Sequence, residues 1–218
     1  EAVGSLMFCA IVSRPDIMFA VSNVSRHLHN YGEPHCNAVK RIIRYLKGTS
    51  GYGIQYKRSE SILCGYSDSD FAGDTVTRKS TSGYIFLHNG GAITWSSQRQ
   101  ACVALSTTEA EYVAASSAVR ELSWLQSLYQ ELQEPVGVPV NIFIDNQGAI
   151  QLIKNPVHHK RSKHIDIKFH HIREKYCSKV VNIEYVESVN QCADILTKAV
   201  NKNVLLRILP MIGISVKM

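Results

Sequence analysis

This sequence has no Cys-x-x-Cys pair, no internal repeat and no low-complexity segment. It also lacks any unbroken apolar run near the roughly 20 residues of a membrane span. The six cysteines, at 9, 36, 64, 102, 177 and 192, are irregularly spaced. That argues against a disulfide framework and predicts reduced, mostly buried thiols in an intracellular protein. The opening Glu-Ala-Val-Gly has none of the pattern of a signal peptide. The most apolar stretch, "VLLRILPMIGISV", is cut by Arg207, Pro210 and Gly213 and reads as a docked tail. Apolar residues make up 45% of 218 positions, enough to build a core, which excludes a disordered chain.

The net charge of +6 is unevenly spread. Residues 1–60 carry +4, residues 61–157 carry −4 and residues 158–218 carry +6. Basic flanks suit a polyanion, and an acidic middle suits cations held against it.

The first sixty residues read as helices. "RPDIMFAVSNVSRHLHN" has Pro15 and Asp16 at a helix start, then Ile17, Val21, Val24 and Leu28 at helical spacing. "EPHCNAVKRIIRYLKG" has an apolar stripe of Val39, Ile42, Ile43 and Leu46, with Lys40, Arg41, Arg44 and Lys47 on its other face. From about residue 61 the period becomes that of strands. "SILCGYSD" is one, and "GYIFLHNGGAITWSS" is a hairpin turning at Asn89-Gly90-Gly91. "ACVALS" is expected as a further strand or a continuation of the last. A long helix over 107–132, the strand "PVNIFID" and the short helix "NQGAIQLIKN" follow. A basic helix over 164–178, the strand "KVVNIEYV" and a closing helix, "NQCADILTKAV", complete the pattern. An opening meander followed by alternating helices and strands implies an α/β fold with a mixed sheet and helices on its faces.

Within "GYSDSDFAGD" three aspartates crowd together, Asp68, Asp70 and Asp74. Asp68 and Asp145 each end a strand, where side chains of an open α/β sheet face a crevice. In the long helix "STTE" fits a capping box, which gives Glu109 a structural task. Glu111 instead heads the stripe Glu111, Ala115, Ala118, Leu122, Leu125, which packs on the sheet. A carboxylate there is costly unless a cation or hydrogen bonds compensate it. Asp194 lies among Cys192, Ala193, Ile195 and Leu196, another acid in an apolar stretch. Four acids from strand ends and helices can converge on a pair of hard divalent ions such as Mg²⁺, which take oxygen ligands and serve phosphodiester hydrolysis.

Six segments in order carry a resemblance: "GYSDSDFAGD", "RKSTSGYIF", "ITWSSQRQACVALSTTEAEYVA", "IDNQGAIQLIKNP", "KHIDIKFHHIREK" and "NQCADILTK". They resemble the RNase H domain at the C-terminus of copia-type LTR retrotransposon Pol polyproteins. "VGSLMFCAIVSRPDIMFAVS", "AVKRIIRYLKGT" and "GYGIQY" look like the end of the reverse transcriptase just upstream. The resemblance implies an RNase H-like fold, a mixed five-stranded sheet flanked by helices. It divides the chain into a small helical thumb or connection-like segment over 1–58, an RNase H domain over 59–200 and a C-terminal tail over 201–218. It implies Mg²⁺-dependent cleavage of the RNA strand of RNA–DNA hybrids, with two ions for which Mn²⁺ can substitute. Matched motif by motif, its catalytic and metal-binding carboxylates fall on Asp68, Glu111, Asp145 and Asp194. Asp70 and Asp74 are expected to cap turns or support the site. The implied partners are the hybrid and the rest of Pol, with no membrane. The implied location is intracellular, in cytoplasmic element particles or the nucleus.

Many relatives of the wider family carry a histidine in the loop before the last aspartate, and "VESVNQCAD" has none. Basic residues near the 158–171 histidines are expected to contact phosphates: Lys160, Arg161, Lys163, His164, Lys168 and Arg173. Lys40, Arg41, Arg44 and Lys47 are expected to grip the duplex as well. His158, His159, Cys177 and Cys192 lack finger-like spacing, so a zinc site is not expected. The sequence also has no adjacent Asp-Asp pair, which a polymerase palm of this kind requires, so polymerase activity is not expected. Two rival readings stay open. One is a catalytically inactive hybrid-binding module from a decayed or domesticated element. The other is a small-molecule phosphatase on Asp68-x-Asp70, although Ala72 stands where such enzymes want Thr or Val.

Overall fold

Cys64–Asp70 sits at the centre of a sheet because its residues leave little to clash with neighbours: Gly65, Ser67, Asp68 and Ser69 are all buried. The computed structural model describes residues 1–58, 62–134, 136–155 and 163–216, and for 163–169 only the helix they form. In chain order the elements are α1 (Ala2–Val12), α2 (Met18–Ser25), α3 (Glu33–Gly48), β1 (Tyr52–Ile54), β2 (Cys64–Asp70), β3 (Thr81–His88) and β4 (Gly91–Arg99). There follow α4 (Thr107–Glu131), β5 (Val140–Ile144), α5 (Gln147–Lys154), α6 (Lys163–Cys177) and β6 (Val181–Tyr185). The chain closes with α7 (Asp194–Thr197), α8 (Lys202–Met211) and β7 (Ile214–Val216).

The main sheet has five strands in the order β4-β3-β2-β5-β6. The meander β2-β3-β4 is antiparallel, whereas β5 and β6 join parallel to β2 and to each other. This is the mixed five-stranded sheet flanked by helices that the resemblance implies. The stripe read from the long helix is buried as expected, with Glu111, Ala115, Ala118, Leu122 and Leu125 all at 5% exposure or less. It packs with Phe86, Ile142, Ile144 and Ile183 of the sheet. On the opposite face Ile85, Leu87 and Ala92 pack with Ile195 and Leu196, and with Ile208, Leu209, Ile212 and Ile214 of the C-terminal segment.

Several local expectations are corrected. The helix expected from Pro15 is a single tight turn followed by α2, which stops at Ser25. Asp16 stands in the first turn as expected, and its carboxylate accepts from Arg14 (2.9 and 2.7 Å) and from the Tyr45 hydroxyl (2.7 Å). "ACVALS" forms no strand, because Gln100 turns inward and donates to Ser82 Oγ (2.9 Å) and Ala110 O (3.0 Å). The closing helix is one turn, since Gln191 pins the preceding loop through Ser67 O (2.9 Å) and Ala193 N (3.2 Å). All six cysteines are free, but Cys36, Cys102 and Cys177 are exposed, so the thiols are not mostly buried.

The segment after α3 meets the C-terminal strand. β1 pairs antiparallel with β7, Tyr52 facing Val216 and Ile54 facing Ile214. The upstream helices are tied to the sheet by Trp95 Nε1, which donates to Ala10 O (2.8 Å), and by Ser22 Oγ, which donates to Ser97 O (3.1 Å). Gly213 makes the turn into β7 at φ +81, where a Cβ would lie 2.6 Å from Gly90 O and from Gly91 Cα. Gly213→Ala therefore combines backbone strain with a backbone clash and should cost roughly 2 kcal/mol. For a chain of this size that lowers the melting temperature by about 4–8 °C; an unchanged melt would contradict the packing described.

Candidate active site

The parallel register of β2 and β5 decides where two acids go. Tyr66 stands beside Phe143. Two residues further along each chain, Asp68 and Asp145 come abreast at the same end of the sheet. Asp194 arrives from the opposite face at the start of α7. That turn can approach because β3 offers no side chain at Gly83, where a Cβ would lie 2.8 Å from Leu196 Cβ. Gly83 is also the ladder partner of Asp68. Carboxylate oxygens of Asp68, Asp145 and Asp194 consequently lie within 4.8 Å of one another. Glu111 comes from the first turns of α4. Its Oε1 accepts the Ser69 N–H (3.2 Å), while its Oε2 is buried with no hydrogen-bond partner among the described residues.

Supporting contacts fix the carboxylates. Thr197 Oγ1 donates to Asp68 Oδ2, and Ser188 Oγ donates to Asp145 Oδ2 (2.7 Å). Lys198 Nζ is 2.8 Å from Asp194 Oδ1 and 3.8 Å from Asp68 Oδ2. Burial, and then the charges of Asp68 and Asp145, push the Glu111 carboxyl up to about 10. Burial and Asp68 push Asp194 up to about 6 against the opposing pull of Lys198. Burial works against the charge on Lys198, but Asp68 and Asp194 outweigh it and raise its pKa. Cys192, two residues before Asp194, is pushed up to about 12 by burial and stays a thiol.

This donor set fits hard divalent cations. Its oxygens are all carboxylate, its charges repel, and one buried oxygen lacks a partner. Asp68, Asp145, Asp194 and Glu111 could hold such ions, and the protonated Cys192 supplies no soft ligand.

The other aspartates of "GYSDSDFAGD" do different work. Asp70 Oδ1 accepts the Thr81 N–H, which ties β2 to the start of β3 and leaves no Asp68-x-Asp70 pair facing one substrate. Asp74 caps its own turn by accepting from Val76 N (3.1 Å) and Thr77 N (2.9 Å), and it pairs with Arg99 (2.7 Å). Those contacts hold its carboxyl well below the usual range. Glu109 reaches back as expected, although to Leu105 N (2.8 Å).

Of the residues expected to contact nucleic acid, Lys40, Arg41, Arg44 and Lys47 are exposed together on α3. Arg173 is engaged elsewhere. Its guanidinium donates to Leu152 O (2.8 and 3.2 Å) and Asn155 O (3.3 Å), closing the C-terminal end of α5. Lys160 and Arg161 lie outside the described residues, as do the side chains of Lys163, His164 and Lys168. Sequence reasoning missed Thr197, Ser188, Gln191 and Lys198. Only Lys198 left a signal, the i,i+4 spacing from Asp194 that pairs charges on a helix.

No family model matches this sequence. The Pol polyprotein of transposon TNT 1-94 from Nicotiana tabacum is 47% identical over 203 residues, 93% of this chain and 15% of that protein. The Pol polyprotein of transposon RE1 from Arabidopsis thaliana is 41% identical over 98% of this chain and 14% of its own length. The chain belongs to the copia-type retrotransposon Pol family. It spans only about one-seventh of these relatives' length. A foamy viral protease-reverse transcriptase solved in complex with RNA/DNA hybrid matches 92% of the chain and 26% of its own, with a TM-score of 0.51 at 13% identity. That likeness speaks for the fold alone. An RNase H1, LC11, solved with RNA/DNA hybrid matches 62% of this chain and 93% of its own, with a TM-score of 0.46 at 18% identity. With its mixed five-stranded sheet flanked by helices, the fold of this Pol segment is RNase H-like.

The acid cluster has a consequence for stability. Glu111 and Asp194 keep protons in the folded state that the unfolded chain releases near 4.5 and 3.8. Without metal, stability must therefore fall as pH rises through the window from about 4.5 towards about 10. At pH 8 Glu111→Gln should stabilise the metal-free protein by roughly 1–3 kcal/mol, because folding no longer has to protonate a carboxyl that the unfolded chain ionises. Millimolar Mg²⁺ should raise the melting temperature of the wild type more than that of the variant. Equal responses to metal would refute Glu111 as part of the cation site.

Proposed function

We propose that this Pol segment hydrolyses the RNA strand of RNA–DNA hybrids, using divalent magnesium held by Asp68, Glu111, Asp145 and Asp194. The observation that supports this most is the gathering of three carboxylates within 4.8 Å beside a buried glutamate with an unpartnered oxygen. Residues 1–58 are assigned to the end of the reverse transcriptase, residues 59–200 to the RNase H domain and residues 201–218 to its tail. The partners are the hybrid and the remainder of Pol, in element particles of the cytoplasm or in the nucleus. No helix among the described residues is long and apolar enough to cross a membrane.

When bound, a pair of such ions lowers the pKa of an attacking water and steadies the leaving oxygen. The chain's own residues do the rest. Thr197 and Ser188 fix one oxygen each of Asp68 and Asp145, so the free oxygens point consistently. Lys198 balances Asp194 and Asp68 from the half-exposed rim, where a scissile phosphate would enter. Glu111 places a carboxyl at the floor of the site, away from water. The exposed cations of α3 attract the sugar-phosphate backbone from the flank. The wide groove of an A-like duplex presents 2′-hydroxyls and lets ribose be told from deoxyribose.

Asp145→Asn should keep the fold and lower hybrid cleavage at saturating Mg²⁺ by at least roughly 100-fold, beyond the 10–100-fold loss of a residue that only orients a ligand. A gel assay with EDTA and an all-DNA duplex as controls reads this, and an unaffected variant removes the nuclease assignment. Replacing Lys40, Arg41, Arg44 and Lys47 with alanine should reduce the slope of log affinity against log salt by about 0.9 for every phosphate that α3 no longer neutralises. An unchanged slope would take α3 out of the nucleic-acid interface.

A further inference from the structure

A second polar cleft lies beside the acids and has none of their charge. It occupies about 350 Å³ between α4, the β3–β4 edge and α6, and no acidic side chain lines it. Some of its cationic and hydrogen-bonding groups are unengaged, although Arg99, which also lines it, pairs with Asp74 (2.7 Å). Arg120 is exposed and in no ion pair among the described residues. His171 Nε2 is buried without a hydrogen-bond partner among the described residues. Ser116, which also lines the cleft, is only 7% exposed. Ser82 is fixed as an acceptor by Gln100 Nε2 (2.9 Å), which leaves its own hydroxyl hydrogen to spare. Glu121, next to Arg120 in the chain, is already occupied by the hydroxyls of Tyr84 (3.0 Å) and Thr94 (2.7 Å). Buried donors without acceptors are costly, and in a cleft with a guanidinium at its mouth the matching ligand is an oxyanion.

Position says which oxyanion. Ser82 precedes Gly83, the ladder partner of Asp68, and Ser82 itself faces Ser69, whose N–H binds Glu111. The cleft therefore begins one residue from the acid cluster. An isolated phosphate held so near the reacting centre would be incidental, whereas a strand lying across that centre must lay its neighbouring phosphates nearby. We infer that this cleft is a backbone-phosphate subsite for the nucleic acid, with Arg120 supplying the charge and His171, Ser116 and Ser82 supplying neutral donors. The inference rests on the hybrid-cleaving reading and deepens it. His171 requires only the tautomer with hydrogen on Nε2.

The test is fluorescence anisotropy of the full 218-residue chain with a labelled RNA–DNA hybrid in EDTA, across a salt series. Arg120→Gln should raise Kd about 5–10-fold at 0.1 M salt and reduce the log–log salt slope by about 1. Arg120→Lys should restore the slope. His171→Gln should weaken binding about 2–5-fold with the slope unchanged, because the hydrogen bond it removes carries no charge. Arg120 is exposed, so its variants should melt at the wild-type temperature, which separates a role in binding from misfolding. The inference is overturned if the wild type does not bind hybrid. It is equally overturned if Arg120→Gln stays within twofold of wild type, or if its Kd rises with no change in slope. Cleavage is scored separately: a wild-type chain that binds through this cleft but never cuts with Mg²⁺ defeats the nuclease reading and leaves the subsite standing.

Discussion

Buried like charges repel, and the folded chain holds several of them close together. Asp68, Asp145 and Asp194 bring oxygens within 4.8 Å of one another, and Glu111 adds a carboxyl that burial pushes up to about 10. In an interior of low effective dielectric such a cluster opposes folding unless protons or cations answer it. Lys198 answers part of the charge, and the protons on Glu111 and Asp194 answer more. What remains is the demand for cations on which the proposed chemistry depends.

The scaffold keeps that cluster from relaxing. Parallel pairing of β2 with β5 fixes Asp68 beside Asp145 without the two acids sharing a peptide segment. The bare backbone at Gly83 lets α7 come down onto β3 and bring Asp194 in from the other face. Gln191, fully buried, is bonded at both ends of its amide and fixes the loop that precedes α7. Each device is a backbone or neutral contact, so the carboxylates are not spent on holding the fold. The remaining aspartates of the same motif are used that way, Asp70 on Thr81 and Asp74 on its turn and Arg99.

Much of this was legible because it rests on period and position. Alternation marked the strands, a strand end marked Asp145 and, although β2 runs two residues further than expected, Asp68, and the helical stripe separated Glu111 from the capping Glu109. Features that rest on contacts between distant segments were not legible. Three-residue strands such as Tyr52–Ile54 and Ile214–Val216 are too short to show a period, and their pairing joins segments far apart in the sequence. The inward turn of Gln100 replaced an expected strand, since a glutamine's choice between solvent and two buried partners leaves no trace in the pattern. Arg173 looked like one more cation of a basic helix, and only the neighbouring end of α5 shows that its guanidinium is taken. Cysteine burial was misjudged for a similar reason, because spacing tells of pairing but not of which face a thiol occupies.

The central claim is that these acids form one cation site. Manganese binding to the full chain, followed by electron paramagnetic resonance at pH 8, reads it without any appeal to activity. Saturable uptake that is abolished or strongly weakened in Asp68→Asn, with the fold retained, is the predicted result. Identical uptake by the wild type and Asp68→Asn would mean that the carboxylates do not act together, and the account would fail.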